Sequence, residues 1–278
     1  MTRLALVAGA LLGALSVFAA CAPPGDSASP DAFEGSSAAH TATPAATPTP
    51  IVTPTAAGAA TPTPPNTPAP KTPSPQQSLP AGFTHVTDLA PGIRVELRYA
   101  TSRNFTGAPV PGYESKTAAI LRTSAAKALA KVQSDLKKKG LGLLVYDAYR
   151  PVRAVAAFVK WSQNSDQSTK ARYYPNVDKK RLFSLGYIAR RSSHSLGSTV
   201  DLTIVGENGR PLDMGGEFDL FDRRSHYRTD GLTAAQTRNR ATLRDAMLAR
   251  GFTPYSSEWW HFTYSPAMTG ERQNFPVR

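Results

Sequence analysis

Between Ala22 and about Pro80 the chain is made of Pro, Thr, Ala and Ser, as in TATPAATPTPIVTPTAAGAATPTPPNTPAP, and almost no apolar side chain there is larger than alanine. Such a segment cannot bury enough surface to offset the entropy of ordering its backbone. Proline at this density also favours extended polyproline II conformations, so residues 21–80 read as a disordered tether. Folding is thereby confined to residues 81–278, a length that suits one domain around one core. All three tryptophans lie in that part of the chain. The Thr-Pro recurrence is low complexity and not a folding repeat.

Met1–Ala20 has the layout of a signal segment. Arg3 supplies a positive start, and Leu4–Ala20 is an apolar run shorter than the roughly 20 residues a membrane-spanning helix needs. Cys21 follows two alanines and is the only cysteine. Two readings stand. Cys21 is a lipobox cysteine whose thiol takes a diacylglycerol, or it is incidental beside an ordinary cleaved signal peptide. Phe18, where a lipobox more usually has leucine, is the departure from the first pattern. On either reading the protein is expected outside the cytoplasm. On the first it is held at the outer face of the cell membrane only through the lipid on Cys21. With no second cysteine there is no internal disulfide, so stability must come from core packing or a metal.

The formal net charge is +12, with small basic clusters at 137–139, 179–181 and 190–191. No aromatic interleaving or groove-entering motif accompanies them, which argues against nucleic acid as a partner. Attraction to anionic polymers of the cell envelope accounts for the charge of an exported protein.

Periodicity gives a coarse order of elements. IRVELRYA (93–100) alternates as a strand does. Residues 117–140 have helical spacing, with Ile120, Leu121, Ala125, Leu129 and Val132 on one face and Gly140 as the stop. LGLLVYDAY (141–149) reads as a strand, and Pro151 then opens a helix at a position where proline is tolerated. TVDLTIV (199–205) is a strand, 233–251 an amphipathic helix ended by Gly251, and WWHFTY (259–264) an aromatic strand. Helices and strands mix without a strict βαβ repeat. The expected fold is α+β: one domain with a central, largely antiparallel sheet flanked by helices.

The chemistry starts at SSHSLGSTVDLTI (192–204), where His194 and Asp201 stand seven positions apart at the entry to an apolar strand. One reading is a surface loop running into a strand; the other is two ligands of a metal ion. A catalytic zinc takes three protein ligands and keeps one position open. Of the other histidines, His40 lies in the tether, His85 at the domain edge and His226 among like charges in RRSHYR. His261, in SSEWWHFTY, sits in an apolar strand that can shield a metal, and Glu258 stands three residues before it. Metal-assisted hydrolysis needs a carboxylate beside the ion but not bound to it, to accept a proton from water and pass one to the leaving group. Residues 258 and 261 point to opposite faces of an ideal strand, so they share a site only if the chain bends near 258 or if Glu258 lies on the preceding loop. Arg150, in YDAYRP, can stabilise a developing oxyanion or can simply pair with Asp147 at the surface.

YDAYRP (146–151), SSHSLGSTVDLTI, MGGEFD (214–219), RSHY and EWWHFTY, together with RYATSRNFTG (98–107), resemble the D-alanyl-D-alanine dipeptidases in order and spacing. These are zinc enzymes of the wider D-Ala-D-Ala carboxypeptidase group, and the resemblance covers the domain from about residue 85 but not the tether. It implies one Zn²⁺ per chain on His194, Asp201 and His261, Glu258 as general base and acid, and Arg150 as the stabiliser of the tetrahedral intermediate. It also implies a substrate pocket with Asp219 facing the substrate's free ammonium and Ser192 and Tyr99 as further lining. Ser102 and Arg103 fall where the signature is variable. The substrate expected from this resemblance is a small D-amino-acid dipeptide. Two alternatives stay open at this point: a D,D-carboxypeptidase trimming peptidoglycan stem peptides, and a zinc-bearing wall-binding module without catalysis.

Overall fold

GLLVYD (142–147) and the β-branched TVDLTIV (199–205) are largely apolar runs buried along nearly their whole length, and they pair side by side in the main sheet. A computed structural model describes residues 78–278; the signal segment, Cys21 and the tether up to residue 77 lie outside the described residues. In chain order the elements are β1 (Phe83–His85), α1 (Val86–Leu89), β2 (Arg94–Val95), β3 (Ile120–Arg122), α2 (Thr123–Lys137), β4 (Gly142–Asp147), α3 (Val152–Gln163), α4 (Lys170–Tyr173), β5 (Thr199–Val205), α5 (Ala234–Leu248), β6 (Phe252–Tyr255) and β7 (Glu258–Tyr264). The main sheet has the order β2-β4-β5-β7-β6. Only the β2–β4 pair is parallel, so the sheet is largely antiparallel. Helices α2 and α5 flank it, and the architecture is α+β. Among the described residues no helix is long and apolar enough to cross a membrane.

Helix α2 buries Ala125, Leu129, Val132 and Leu136 along one stripe. Thr233 and Gln236 form a reciprocal capping box that starts α5. Two expectations from periodicity need correction, and one strand gave no sequence signal. Ile120 and Leu121 belong not to the helix but to β3, whose residues pair antiparallel with 83–85. Edge pairing with a strand distant in sequence outweighs the helical spacing. In IRVELRYA only Arg94–Val95 is strand, because Glu96 still bonds Val145 while Leu97 turns to Lys116 and Arg98–Ala100 tighten into a 3₁₀ turn that buries Tyr99. Residues 252–255, which carry no clear alternation, form β6 against β7.

Candidate active site

Three neighbouring strands carry the heart of the site. Their register sets Asp147 on β4 opposite Asp201 on β5, and Asp201 opposite His261 on β7. An irregularity between Val145 and Asp147 makes the first pairing possible; with regular pairing Tyr146 would face Asp201. A second irregularity, between Pro254 and Tyr255 on β6, sits opposite the start of β7. There the chain bends enough for Glu258, the first residue of the strand, to share a side with His261: Glu258 Oε2 lies 3.6 Å from His261 Nδ1. Strand parity alone would forbid that juxtaposition.

His194 reaches the same point from the 3₁₀ turn Ser193–Leu196. Ser192 Oγ caps the turn by accepting from the His194 backbone N–H at 3.2 Å. Gly197 closes it at φ 74°, where a Cβ would run into the Phe83 ring, so only glycine fits. The His194 ring is oriented by Nδ1, which donates to the Ala148 carbonyl at 2.7 Å. A carbonyl only accepts, so this bond fixes the tautomer and leaves Nε2 with a free lone pair. That nitrogen lies 3.4 Å from Asp201 Oδ1 and 3.4 Å from His261 Nδ1.

The donor atoms of His194, Asp201 and His261 all fall within 4.8 Å of one another. His261 Nδ1 approaches Asp201 Oδ1 to 3.0 Å without hydrogen bonding, so this buried oxygen has no hydrogen-bond partner among the described residues. An ionised oxygen left so is costly unless a cation completes it. The protonation states fit a cation as well. Burial alone would raise the Asp201 carboxyl, but the two imidazoles outweigh it and hold Asp201 below the usual carboxylate range. Burial depresses His261 and keeps its ring neutral. One carboxylate and two imidazoles form a donor set suited to a divalent cation with room for a small fourth ligand.

Glu258 is outside this set. Burial raises its carboxyl well above the ordinary value, the negative charges of Asp201 and Asp219 push it the same way, and Arg150 opposes them. Such a carboxylate is a stronger proton acceptor than an exposed one. Arg150 does pair with Asp147, but not at the surface: Nε and Nη2 stand 2.9 and 2.7 Å from an Oδ2 that is fully buried. Its Nη2 also reaches within 3.5 Å of Asp201 Oδ2. The pairing with Asp147 is therefore present but buried, an ion pair whose guanidinium lines the same cavity as the donor set.

Asp219 has φ 64°, the only described non-glycine residue in the left-handed region. Its Oδ1 accepts from the Tyr99 hydroxyl at 3.0 Å, and its buried Oδ2 has no hydrogen-bond partner among the described residues. Tyr99 thus does more than pack. Tyr99, Arg150, Ser192, His194, Asp201, Asp219, Glu258 and His261 all line one cavity of about 570 Å³. Arg103 does not; it pairs with Glu96 and borders a separate cavity. Two residues that sequence reasoning left outside the site belong beside it. Asp147 appeared only as a surface partner for Arg150. Tyr113, whose hydroxyl donates to Asp147 Oδ1 at 2.6 Å, gave no signal from its Gly/Pro-broken loop.

A buried nitrogen–oxygen donor set beside a free acid, lining one cavity, is an arrangement suited to metal-assisted hydrolysis of a peptide bond. Residues 80–277 match the family model described as D-ala-D-ala dipeptidase, peptidase M15. The chain belongs to that family. It is 43% identical to the D-alanyl-D-alanine dipeptidase of Enterococcus faecium over 65% of this chain and 90% of that protein. It is 46% identical to the D-alanyl-D-alanine dipeptidase of Streptomyces coelicolor (strain ATCC BAA-471 / A3(2) / M145), again over 65% and 90%. A solved LD-carboxypeptidase, LdcB, is similar over 68% of this chain and 70% of its own at 19% identity, with a TM-score of 0.37, too distant for anything to rest on it.

Proposed function

We propose that the protein is a zinc-dependent dipeptidase that hydrolyses D-Ala-D-Ala to free D-alanine outside the cytoplasm. The observation that carries the substrate reading is the Asp219 carboxylate. It is buried, tied by one oxygen to Tyr99 and unpartnered on the other, in the same cavity as the donor set. A free ammonium satisfies that oxygen in charge and in hydrogen bonding. Burial raises the Asp219 carboxyl well above its ordinary value, so a cationic partner is what favours its ionised form, and a longer peptide would bring only an uncharged amide to it. The D-alanyl-D-alanine dipeptidases that the chain resembles support the same substrate.

His194 Nε2, Asp201 and His261 Nδ1 would hold the zinc, which when bound supplies Lewis acidity toward the amide carbonyl and the attacking water. The residues then divide the work. Asp219 and Tyr99 anchor the ammonium and so place the amide carbon. Glu258 accepts a proton as the water oxygen bonds to that carbon. Arg150 donates hydrogen bonds to the carbonyl oxygen as it gains negative charge. Glu258 returns the proton to the amide nitrogen as the carbon–nitrogen bond breaks, releasing two molecules of D-alanine. Export through the N-terminal signal segment, with a lipid on Cys21, would hold the enzyme among wall-derived dipeptides and away from the cytoplasmic pool.

The test is hydrolysis of D-Ala-D-Ala by the purified, zinc-loaded chain. N-acetyl-D-Ala-D-Ala keeps the scissile bond and removes the ammonium. Its kcat/KM is expected to fall by about a hundredfold or more, the scale set by a buried polar group losing its partner. Turnover of the blocked or longer peptide in preference to the free dipeptide would make the protein a D,D-carboxypeptidase.

A second expectation concerns Asp147. Asp147→Asn keeps the shape but removes the charge that aims Arg150 at the site, leaving the guanidinium to close on Asp201. A fall in kcat of about 10- to 100-fold with little change in KM is expected, together with a loss of stability on the order of 3 kcal/mol from the uncompensated buried arginine. Steady-state kinetics and urea denaturation measure the two parts.

A further inference from the structure

The last stretch of the chain, RQNFPV (272–277), forms no regular element, yet its backbone and side chains tie together the loops that carry the site. Gln273 is the clearest case: its N–H donates to Ser195 in the His194 turn at 2.8 Å, and its carbonyl accepts from Val152 behind Arg150 at 3.0 Å. One peptide unit on either side of a single residue thus joins the two turns. Arg272 Nε adds a bond to the Ser192 carbonyl at 3.2 Å.

The next residues converge on the Arg150 turn. Asn274 Oδ1 accepts from the Arg153 backbone N–H at 2.9 Å, and the Asn274 carbonyl accepts from Arg153 Nη1 at 2.6 Å. The free N–H groups of Val152 and Arg153 open α3, so the segment caps the helix that begins just after Arg150. Phe275 stacks on Tyr149, with centroids 4.1 Å apart and an interplanar angle of 16°, and its carbonyl accepts from the Tyr149 hydroxyl at 3.1 Å. Residues 149, 152 and 153 are therefore all held from one side.

The far end reaches Arg150 by a second route. Val277 bonds Gly112, Glu114 and Ser115 through its backbone and so brackets Tyr113. Tyr113 holds Asp147, and Asp147 holds Arg150. Gly112 packs onto the same turn: at φ 98° a Cβ would lie 2.7 Å from Arg153 Nε and 3.0 Å from Pro151 Cγ. That fit leaves no slack between the Tyr113 loop and the start of α3.

We propose that residues 272–277 are a positioning strap that fixes the orientation of Arg150 relative to the His194 turn. The proposal rests on the role of Arg150 given above. The His194 ring is held by Ala148 and the other two donors sit in paired strands, while Arg272 and Gln273 bond the turn that carries His194. Loosening the Phe275 end of the strap, which leaves those two bonds in place, should therefore slow the chemical step without emptying the metal site.

The test compares wild type, Phe275→Ala, Phe275→Tyr and a chain ending at Glu271. For Phe275→Ala we expect kcat per zinc-loaded chain to fall about tenfold with KM within about twofold, and Phe275→Tyr to recover wild-type kcat within about twofold, as small losses of alignment dictate. The truncated chain should lose about a hundredfold or more. A second readout needs neither metal nor turnover: in the metal-free proteins, hydrogen exchange at the amides of Val152 and Arg153 should accelerate in the truncated chain and in Phe275→Ala. Unchanged exchange there, or variants of wild-type kcat in a preparation whose wild type hydrolyses the dipeptide, would overturn the strap. If the wild type hydrolyses no dipeptide, the functional reading fails, and the exchange data still decide on the strap.

Discussion

Glu258→Gln is expected to keep zinc at the wild-type stoichiometry and to lose about four orders of magnitude in kcat, the upper end of what general acid–base catalysis contributes. Glutamine keeps the shape of the side chain and its place 3.6 Å from His261 Nδ1, but it cannot accept the proton from water or return it to the amine. Because Glu258 is not among the three clustered donors, metal retention and activity should separate in this variant. The substitution has a stability signature too. Burial, with Asp201 and Asp219 adding to it, raises the folded-state Glu258 carboxyl above its unfolded value. The folded metal-free protein then binds that proton more tightly than the unfolded chain, so stability falls as pH rises from the ordinary carboxylate value, about 4.3, toward the raised one. Glutamine removes that slope, and the metal-free variant should be the more stable protein at neutral pH. Thermal melts across pH follow this directly. Near wild-type turnover in Glu258→Gln would show that another group is the base.

His194→Ala should be as damaging by a different route. It removes the nitrogen whose lone pair the Ala148 carbonyl has set facing Asp201 and His261. Loss of a group that merely orients a ligand costs 10- to 100-fold in metal affinity; loss of the ligand itself should exceed about a hundredfold. Zinc titration would report the weaker site, and dipeptide turnover should vanish at zinc concentrations that saturate the wild type. Stability changes in parallel. Wild type should gain about 4 kcal/mol when zinc exceeds its dissociation constant a thousandfold. The variant should gain far less over the same range. Equal zinc-dependent stabilisation of both proteins would remove His194 from the metal site.

The divisions between what the sequence reveals and what it hides follow physical lines. His194, Asp201, Glu258 and His261 stand out because histidines and acids in apolar surroundings need a partner, and the chain has few of them there. Their mutual placement is another matter. Strand parity argues against Glu258 and His261 sharing a face, and only the irregular pairing at Pro254 and Tyr255 reverses that. Asp147 looks like an ordinary salt-bridge partner until the irregularity in β4 turns it toward Asp201. Ile120 and Leu121 fit a helical face as well as a buried strand, and nothing local decides between them; pairing with 83–85 does. The strap is the least legible feature. Many of its contacts run through backbone groups of Gln273, Phe275 and Val277, which every sequence contains, and the side chains of Arg272, Asn274 and Phe275 that add to them follow no periodic pattern.

Anomalous scattering at the zinc edge, from crystals of the zinc-loaded protein, reads the metal site itself. One strong peak is expected, about 2.0–2.2 Å from His194 Nε2, His261 Nδ1 and a carboxylate oxygen of Asp201, with Glu258 near it but unbound. A peak placed elsewhere, or Glu258 found as a ligand in place of one of the three, would contradict the account.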